Sequence, residues 1–131
     1  IEENLIDHSR VTLPNVGGIT ELKKIVVICE THYVGMIPHF TGPISTAALV
    51  HVLGSSSGFV LTEIVGNSET KTSYLNDDYI GFKNGKLYPN DRPGLGVEFN
   101  PKTVDLVNVI TKPSVYDHPV FERGDESITN W

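Results

Sequence analysis

LIDHSRVTLPNVGGITELKKIVVICETHYVGMIPHFTGPISTAALVHVLGSSSGFVLTE, residues 5–63, is the stretch that decides the fold. Residues 5–12 read as a short strand, closed by the turn sequence Pro14-Asn15-Val16-Gly17-Gly18. Over residues 20–32, Leu22, Ile25, Val26 and Cys29 recur at spacings of three and four, which predicts a helix with one buried face. Val27 and Ile28 are expected to widen that face. Residues 33–38 form a second apolar strand whose end carries His39. Gly42 at the N-cap, Pro43 at the first helical position and Gly54 just past Leu53 then punctuate a second helix. Residues 58–62 give a third strand, ending at Glu63. Strand, helix, strand, helix, strand with connections of this length implies parallel strands crossed over by helices, because a hairpin cannot join parallel neighbours. The expected class is α/β.

After Glu63 the character changes. Residues 79–82 and 86–88 flank Asn84-Gly85, the strongest short hairpin signal, since both turn positions need positive φ. Residues 102–111, between Pro101 and Pro113, are expected to form a last helix, and residues 114–131 are polar and irregular. The organisation is therefore one unit of strand and helix pairs over residues 1–75, followed by hairpin, terminal helix and tail over residues 76–131. No internal repeat or low-complexity tract divides it.

The 131 residues carry 10 Lys plus Arg against 16 Asp plus Glu, with 39% hydrophobic and 20% charged residues, as in an ordinary folded domain. A net charge of -6 gives no electrostatic reason to approach nucleic acid or an anionic membrane, because phosphate binding depends on clustered Lys and Arg. The longest apolar run, Ile25 to Cys29, is five residues, where a membrane span needs about 20. Cys29 is the only cysteine, which excludes an internal disulfide and fits a reducing, cytoplasmic compartment. The chain opens at Ile1 without Met, and the expectation is that it is a piece of something longer.

Arg10 lies late in the first strand, His39 directly after the second and Glu63 directly after the third. Parallel α/β architectures build their sites at the carboxyl ends of the strands, where the following loops leave side chains exposed and convergent. Adjacent strands lie about 4.8 Å apart, so these ends would bring guanidinium, imidazole and carboxylate within reach of one small molecule. Arginine can clamp a carboxylate in bidentate fashion, histidine can move a proton near neutral pH, and glutamate can accept hydrogen bonds or, when protonated, hold an oxyanion. Other residues point to structure. His51 is expected to be a hydrogen-bonded helix residue, and Cys29 a core residue. His8, His32 and His118 have no partner at metal-ligand spacing. Gly17-Gly18 opens a helix and reads equally as a tight turn or an anion-binding N-terminus. Asp77-Asp78 and residues 122–126 read as solvated loop charge.

Together these segments resemble a known family. Leu5-Ile6-Asp7 through Arg10, Val16-Gly17-Gly18-Ile19-Thr20, and Pro38-His39 followed by Gly42-Pro43-Ile44-Ser45 resemble the mandelate racemase and muconate lactonizing branch of the enolase superfamily. Glu63, Asn84-Gly85-Lys86, Arg92-Pro93-Gly94-Leu95-Gly96-Val97 and the closing Thr129-Asn130-Trp131 resemble its sugar-acid dehydratases. The resemblance implies the last three β/α units of a modified TIM-type barrel, with a C-terminal return to a capping domain. It implies removal of the proton α to a carboxylate, with a magnesium ion held by carboxylates on strands that this chain lacks. No magnesium ligand is therefore expected here, and the 131 residues alone should be inactive.

Thr12 stands where many members of that family keep an Asp that pairs with the histidine matching His39, whereas mannonate-dehydratase-like members have Arg near this strand end, which Arg10 fits. By that resemblance His39 protonates a departing β-hydroxyl, Glu63 hydrogen-bonds the substrate carboxylate or enediolate, and Arg10 binds substrate or holds neighbouring carboxylates. The substrate would be a small acid sugar, converted to a 2-keto-3-deoxy acid, and the enzyme a homo-oligomer or an assembly with the missing N-terminal part. The rival expectations are a noncatalytic half-barrel that completes a partner chain and, disfavoured by Thr12, a racemase or cycloisomerase.

Overall fold

A computed structural model of the chain describes residues 1–64, 72–107 and 109. The ordered elements are β1 (His8–Ser9), α1 (Ile19–Thr31), β2 (Gly35–Met36), α2 (Pro43–Gly54), β3 (Ile80–Lys83), β4 (Lys86–Pro89) and a 3₁₀ turn, Pro101–Thr103.

β1 and β2 pair in parallel, His8 opposite Gly35 and Ser9 opposite Met36. The regular strands are shorter than residues 5–12 and 33–38, yet their pairing runs further. The amides of Gly35, Ile37 and His39 donate to the carbonyls of Asp7, Ser9 and Val11 at 2.9, 2.9 and 2.8 Å. On the other edge of β2, Met36 bridges Val60 in parallel, with Met36 N–H donating to the Phe59 carbonyl at 2.9 Å and Leu61 N–H to the Met36 carbonyl at 3.0 Å. β2 is thus central, and all three expected strands are parallel neighbours, as the α/β reading requires.

Side chains alternate across this sheet with period two. Ser9 and Met36 are buried, and Val60 packs on the core, so that face meets the helices. His8, Gly35 and Phe59 share the opposite face. Gly35 has to be glycine there, because a Cβ would stand 2.7 Å from His8 Cδ2 and 2.8 Å from Phe59 Cδ1. Without it the two rings meet edge to face, centroids 5.7 Å apart. Two positions further along each strand come Arg10, Ile37 and Leu61, and two beyond those Thr12, His39 and Glu63.

α1 buries Leu22, Val26 and Cys29, the expected stripe. Burial also pushes the Cys29 thiol up, as fits an inert core residue. Val27 and Ile28 do not widen the stripe. Each is 46% exposed, because among the described residues the sheet and α2 reach α1 on one side only. α1 ends in a Schellman motif: Tyr33 takes positive φ, 57°, while Val34 N–H donates to the Cys29 carbonyl and Tyr33 N–H to that of Glu30. That reversal starts β2.

α2 starts as expected, with Gly42 at its N-cap and Pro43 in the first turn, but Gly54 is its last helical residue rather than the one beyond. Every position from Thr46 to Val50, with Val52 and Leu53, is buried. A helix apolar all round needs cover all round, and α2 has it from α1 on one side and β4 on another. His51 departs from expectation. Its Nε2 is buried without a hydrogen-bond partner among the described residues. The core comprises Leu13, Leu22, Val26, Cys29, Val34, Met36, Ala48, Leu49, Val52 and Leu53.

Glu30, near the end of α1, ties this helix to the turn after α2 by accepting from Ser56 Oγ at 3.0 Å, Ser57 Oγ at 2.8 Å and the Ser57 amide. Those bonds, the Ser57 amide first, lower its carboxyl from 4.5 to about 2. A depressed folded-state pKa stabilises the fold above the unfolded value, and that contribution is lost as pH falls through the folded value. Acid unfolding of the chain should therefore steepen between pH 4.5 and about 2. Glu30→Gln is expected to flatten that limb in pH-dependent circular dichroism, leaving the slope above pH 5 unchanged.

The hairpin forms as expected: β3 and β4 are antiparallel, and Asn84 and Gly85 both take positive φ, 53° and 72°. Beside it, Arg92 pairs with Asp78 at 3.0 Å and with Glu98, so Asp78, 59% exposed, is loop charge held in a surface ion pair. The last helix expected from residue 102 onward is not observed. Asn100 caps a single 3₁₀ turn, and Val104 is extended at φ -132°, ψ 145°. Leu106 and Val107 are 82% and 94% exposed, so a helix here would have no surface among the described residues on which to bury its apolar face, and packing is what sustains short helices. The remainder of that helix, the tail over 114–131, His118 and the acidic stretch 122–126 lie outside the described residues.

Candidate active site

Arg10 follows β1 directly, and its guanidinium crosses the end of β2 to reach Glu63, Nη2 to Oε2 at 2.7 Å. β2 lies between the two strands, so the ion pair spans the carboxyl ends of all three. His39 stands on the middle one, fixed by its own amide donating to the Val11 carbonyl. The three residues expected from strand-end logic are thus brought together on the sheet face opposite the helices. One element had no signal in any side chain. The Phe40 main chain donates its N–H to Glu63 Oε2 at 3.3 Å, and its carbonyl accepts from His39 Nδ1 at 2.6 Å.

These contacts set the charge states. The Phe40 amide above all, with the positive charges of Arg10 and His39, holds the Glu63 carboxyl below the usual carboxylate range against an opposing effect of desolvation. Glu63 is therefore an ionised acceptor at neutral pH. The pair is open to solvent, with Arg10 and Glu63 side chains 54% and 37% exposed, so it orients more than it stabilises. Only one Arg10 nitrogen bonds Glu63, which leaves guanidinium donors open for an anion among the described residues. His39 presents Nε2 on the ring edge opposite its bond to Phe40.

The arrangement can bind a carboxylate at Arg10, accept from hydroxyls at Glu63 and exchange a proton at His39. It does not fit a magnesium ion. Such a cation takes several hard oxygen ligands, whereas here the one carboxylate is engaged by a guanidinium and an amide beside an imidazole. Among the described residues no group of three or more His, Cys, Asp or Glu is placed to hold a metal.

The family model described as enolase C-terminal domain-like matches residues 1–103. A D-mannonate dehydratase of Caulobacter vibrioides is 37% identical over 134 residues, covering 100% of this chain and 32% of that protein. A D-galactonate dehydratase family member of Streptomyces bingchenggensis is 30% identical over 134 residues, covering 100% of this chain and 31% of that protein. A D-galactonate dehydratase of Xanthomonas oryzae pv. oryzae is 34% identical over 126 residues, covering 91% of this chain and 32% of that protein. The chain spans about a third of the length of these curated relatives. No solved structure matches it.

Proposed function

Since the chain belongs to the enolase C-terminal domain-like family, we propose that it supplies part of the active site of a sugar-acid dehydratase that eliminates water from an aldonate to give a 2-keto-3-deoxy acid. The observation that carries this reading is the ion pair between Arg10 and Glu63 across the end of β2, with His39 between them. The three parallel strands would be the last strands of a β/α barrel of TIM type, and the exposed face of His8, Phe59, Arg10 and Glu63 its interior. The hairpin and the residues after it would return to a capping domain.

In this reading a base outside the chain takes the α-proton. His39, as imidazolium, gives its Nε2 proton to the β-hydroxyl, which leaves as water, and the resulting enol becomes the keto acid. Arg10 binds the substrate carboxylate. Glu63, ionised, accepts from a substrate hydroxyl, a better match to its charge than an enediolate oxygen would be. Any magnesium of the complete enzyme is assigned to carboxylates outside this chain, and the steps given to these residues do not pass through it.

A racemase or cycloisomerase needs no acid for a leaving hydroxyl, and the dehydratase relatives favour elimination. A second reading, a noncatalytic half-barrel completing a partner chain, is favoured by one observation: β1 and residues 59–61 each use one edge on β2 and have no strand on the other among the described residues. The partner would be the rest of the barrel or a second copy of the protein. No helix among the described residues is long and apolar enough to cross a membrane, and we place the enzyme in the cytoplasm. Incubating the complete protein with D-mannonate, D-galactonate and their epimers, and measuring keto-acid release, tests the function. Turnover of at least one is expected; no keto acid from any of them would leave the noncatalytic reading standing.

A further inference from the structure

We propose that the main chain of Phe40 is a positioning clamp that joins His39 and Glu63 into one unit, its carbonyl accepting from the imidazole and its N–H donating to the carboxylate. A carbonyl oxygen only accepts, so the bond of 2.6 Å requires the hydrogen on His39 Nδ1. That assigns the tautomer of the neutral ring. Nε2 is then the atom left to exchange a proton, on the ring edge opposite the Phe40 carbonyl. The N–H of the same residue fixes Glu63 Oε2, which Arg10 also holds, so Oε1 is the oxygen left for a ligand. One residue thus selects one working atom on each of two side chains.

The partner behind an imidazole also sets what the ring does. A carboxylate there favours the imidazolium strongly and makes a better base, whereas a neutral carbonyl orients the ring without an opposing full charge. His39 is hydrogen-bonded to a carbonyl and to no carboxylate among the described residues, and Thr12, at the neighbouring strand end, carries no charge. The clamp therefore leaves Nε2 as the ring atom available to a substrate hydroxyl. This last consequence rests on the dehydratase reading. The clamp itself does not.

The test uses the full chain labelled with ¹⁵N-histidine and ¹³C-glutamate. Long-range ¹H–¹⁵N spectra of the neutral ring are expected to show His39 with the hydrogen on Nδ1, and the Glu63 carboxyl to titrate below the ordinary range. Phe40→Ala, which keeps the main chain, should leave both signatures in place. Phe40→Pro, which removes the N–H donor in addition to the side chain that Phe40→Ala controls for, should move the Glu63 midpoint up toward the ordinary value while His39 keeps its tautomer. A neutral ring carrying its hydrogen on Nε2 would overturn the clamp, and so would an equal Glu63 shift in Phe40→Ala, since the aromatic side chain would then be responsible. Should Phe40→Pro fail to fold, the wild-type tautomer together with Phe40→Ala decides. In the complete enzyme, Phe40→Pro is expected to lower kcat more than it raises KM. Absence of turnover in the wild type removes the dehydratase reading and leaves the spectroscopic result to stand on its own.

Discussion

Replacing His39 by Asn in the complete enzyme should lower kcat for sugar-acid dehydration by about 10²-fold or more, with a smaller change in KM. A β-hydroxide leaves poorly unless it is protonated, and imidazole is the side-chain type suited to delivering a proton near neutral pH. Arg10 is engaged with Glu63, and Glu63 is held ionised by the Phe40 amide above all, with help from Arg10. Asn keeps a polar amide near the Nδ1 position but has no counterpart of Nε2 and cannot deliver a proton, so the contact with Phe40 can survive while the transition state loses its acid. If His39 merely packs beneath the substrate, KM should rise and kcat stay almost untouched. Steady-state kinetics on the best aldonate separates the two, and an unchanged kcat would remove His39 from the acid role.

The second large effect concerns the scaffold that holds those strand ends in place. Leu49→Ala should destabilise the chain by about 2–5 kcal/mol, the cost of lost burial plus the cavity left behind. Leu49 is 0% exposed, at the centre of α2, in one cluster with Leu22, Val26 and Met36. Against a domain stability of about 5–15 kcal/mol that is a large fraction. The matched control is Ile28→Ala on α1. With 46% of Ile28 exposed, the same kind of truncation removes far less buried area and should cost less than about 1 kcal/mol. Denaturant unfolding of both variants checks the pair, and equal losses would mean that the packing faces of α1 and α2 are wrongly assigned.

Features governed by local interactions were legible in the sequence. α1 and α2 could be read because Leu22, Val26 and Cys29 repeat with the helical period and because Gly42-Pro43 is a start signal in its own right. The hairpin was legible because only a few residues tolerate the φ values at Asn84 and Gly85. Arg10, His39 and Glu63 could be placed together from topology alone, since parallel strands bring successive strand ends to one side.

Other features depend on what lies opposite. Val27 and Ile28 are apolar, yet each is 46% exposed among the described residues. Residues 104–107 carry a pattern that a helix could use only with a surface to pack on. The unpartnered Nε2 of His51 reflects surroundings that no local motif encodes. The Phe40 clamp is made by main-chain atoms that every residue but proline possesses, so residue identity holds no trace of it.

The central claim is that Arg10, His39 and Glu63, from three parallel strands, serve one ligand. It is tested most directly by titrating the complete protein, selectively labelled at these residues, with a 3-deoxyaldonate, which keeps the carboxylate but has no β-hydroxyl to lose. The expected result is that the Arg10 guanidinium, the His39 ring nitrogens and the Glu63 carboxyl carbon all shift along one binding curve, with a single midpoint. Shifts confined to one of the three, or midpoints that differ between them, would contradict a shared site.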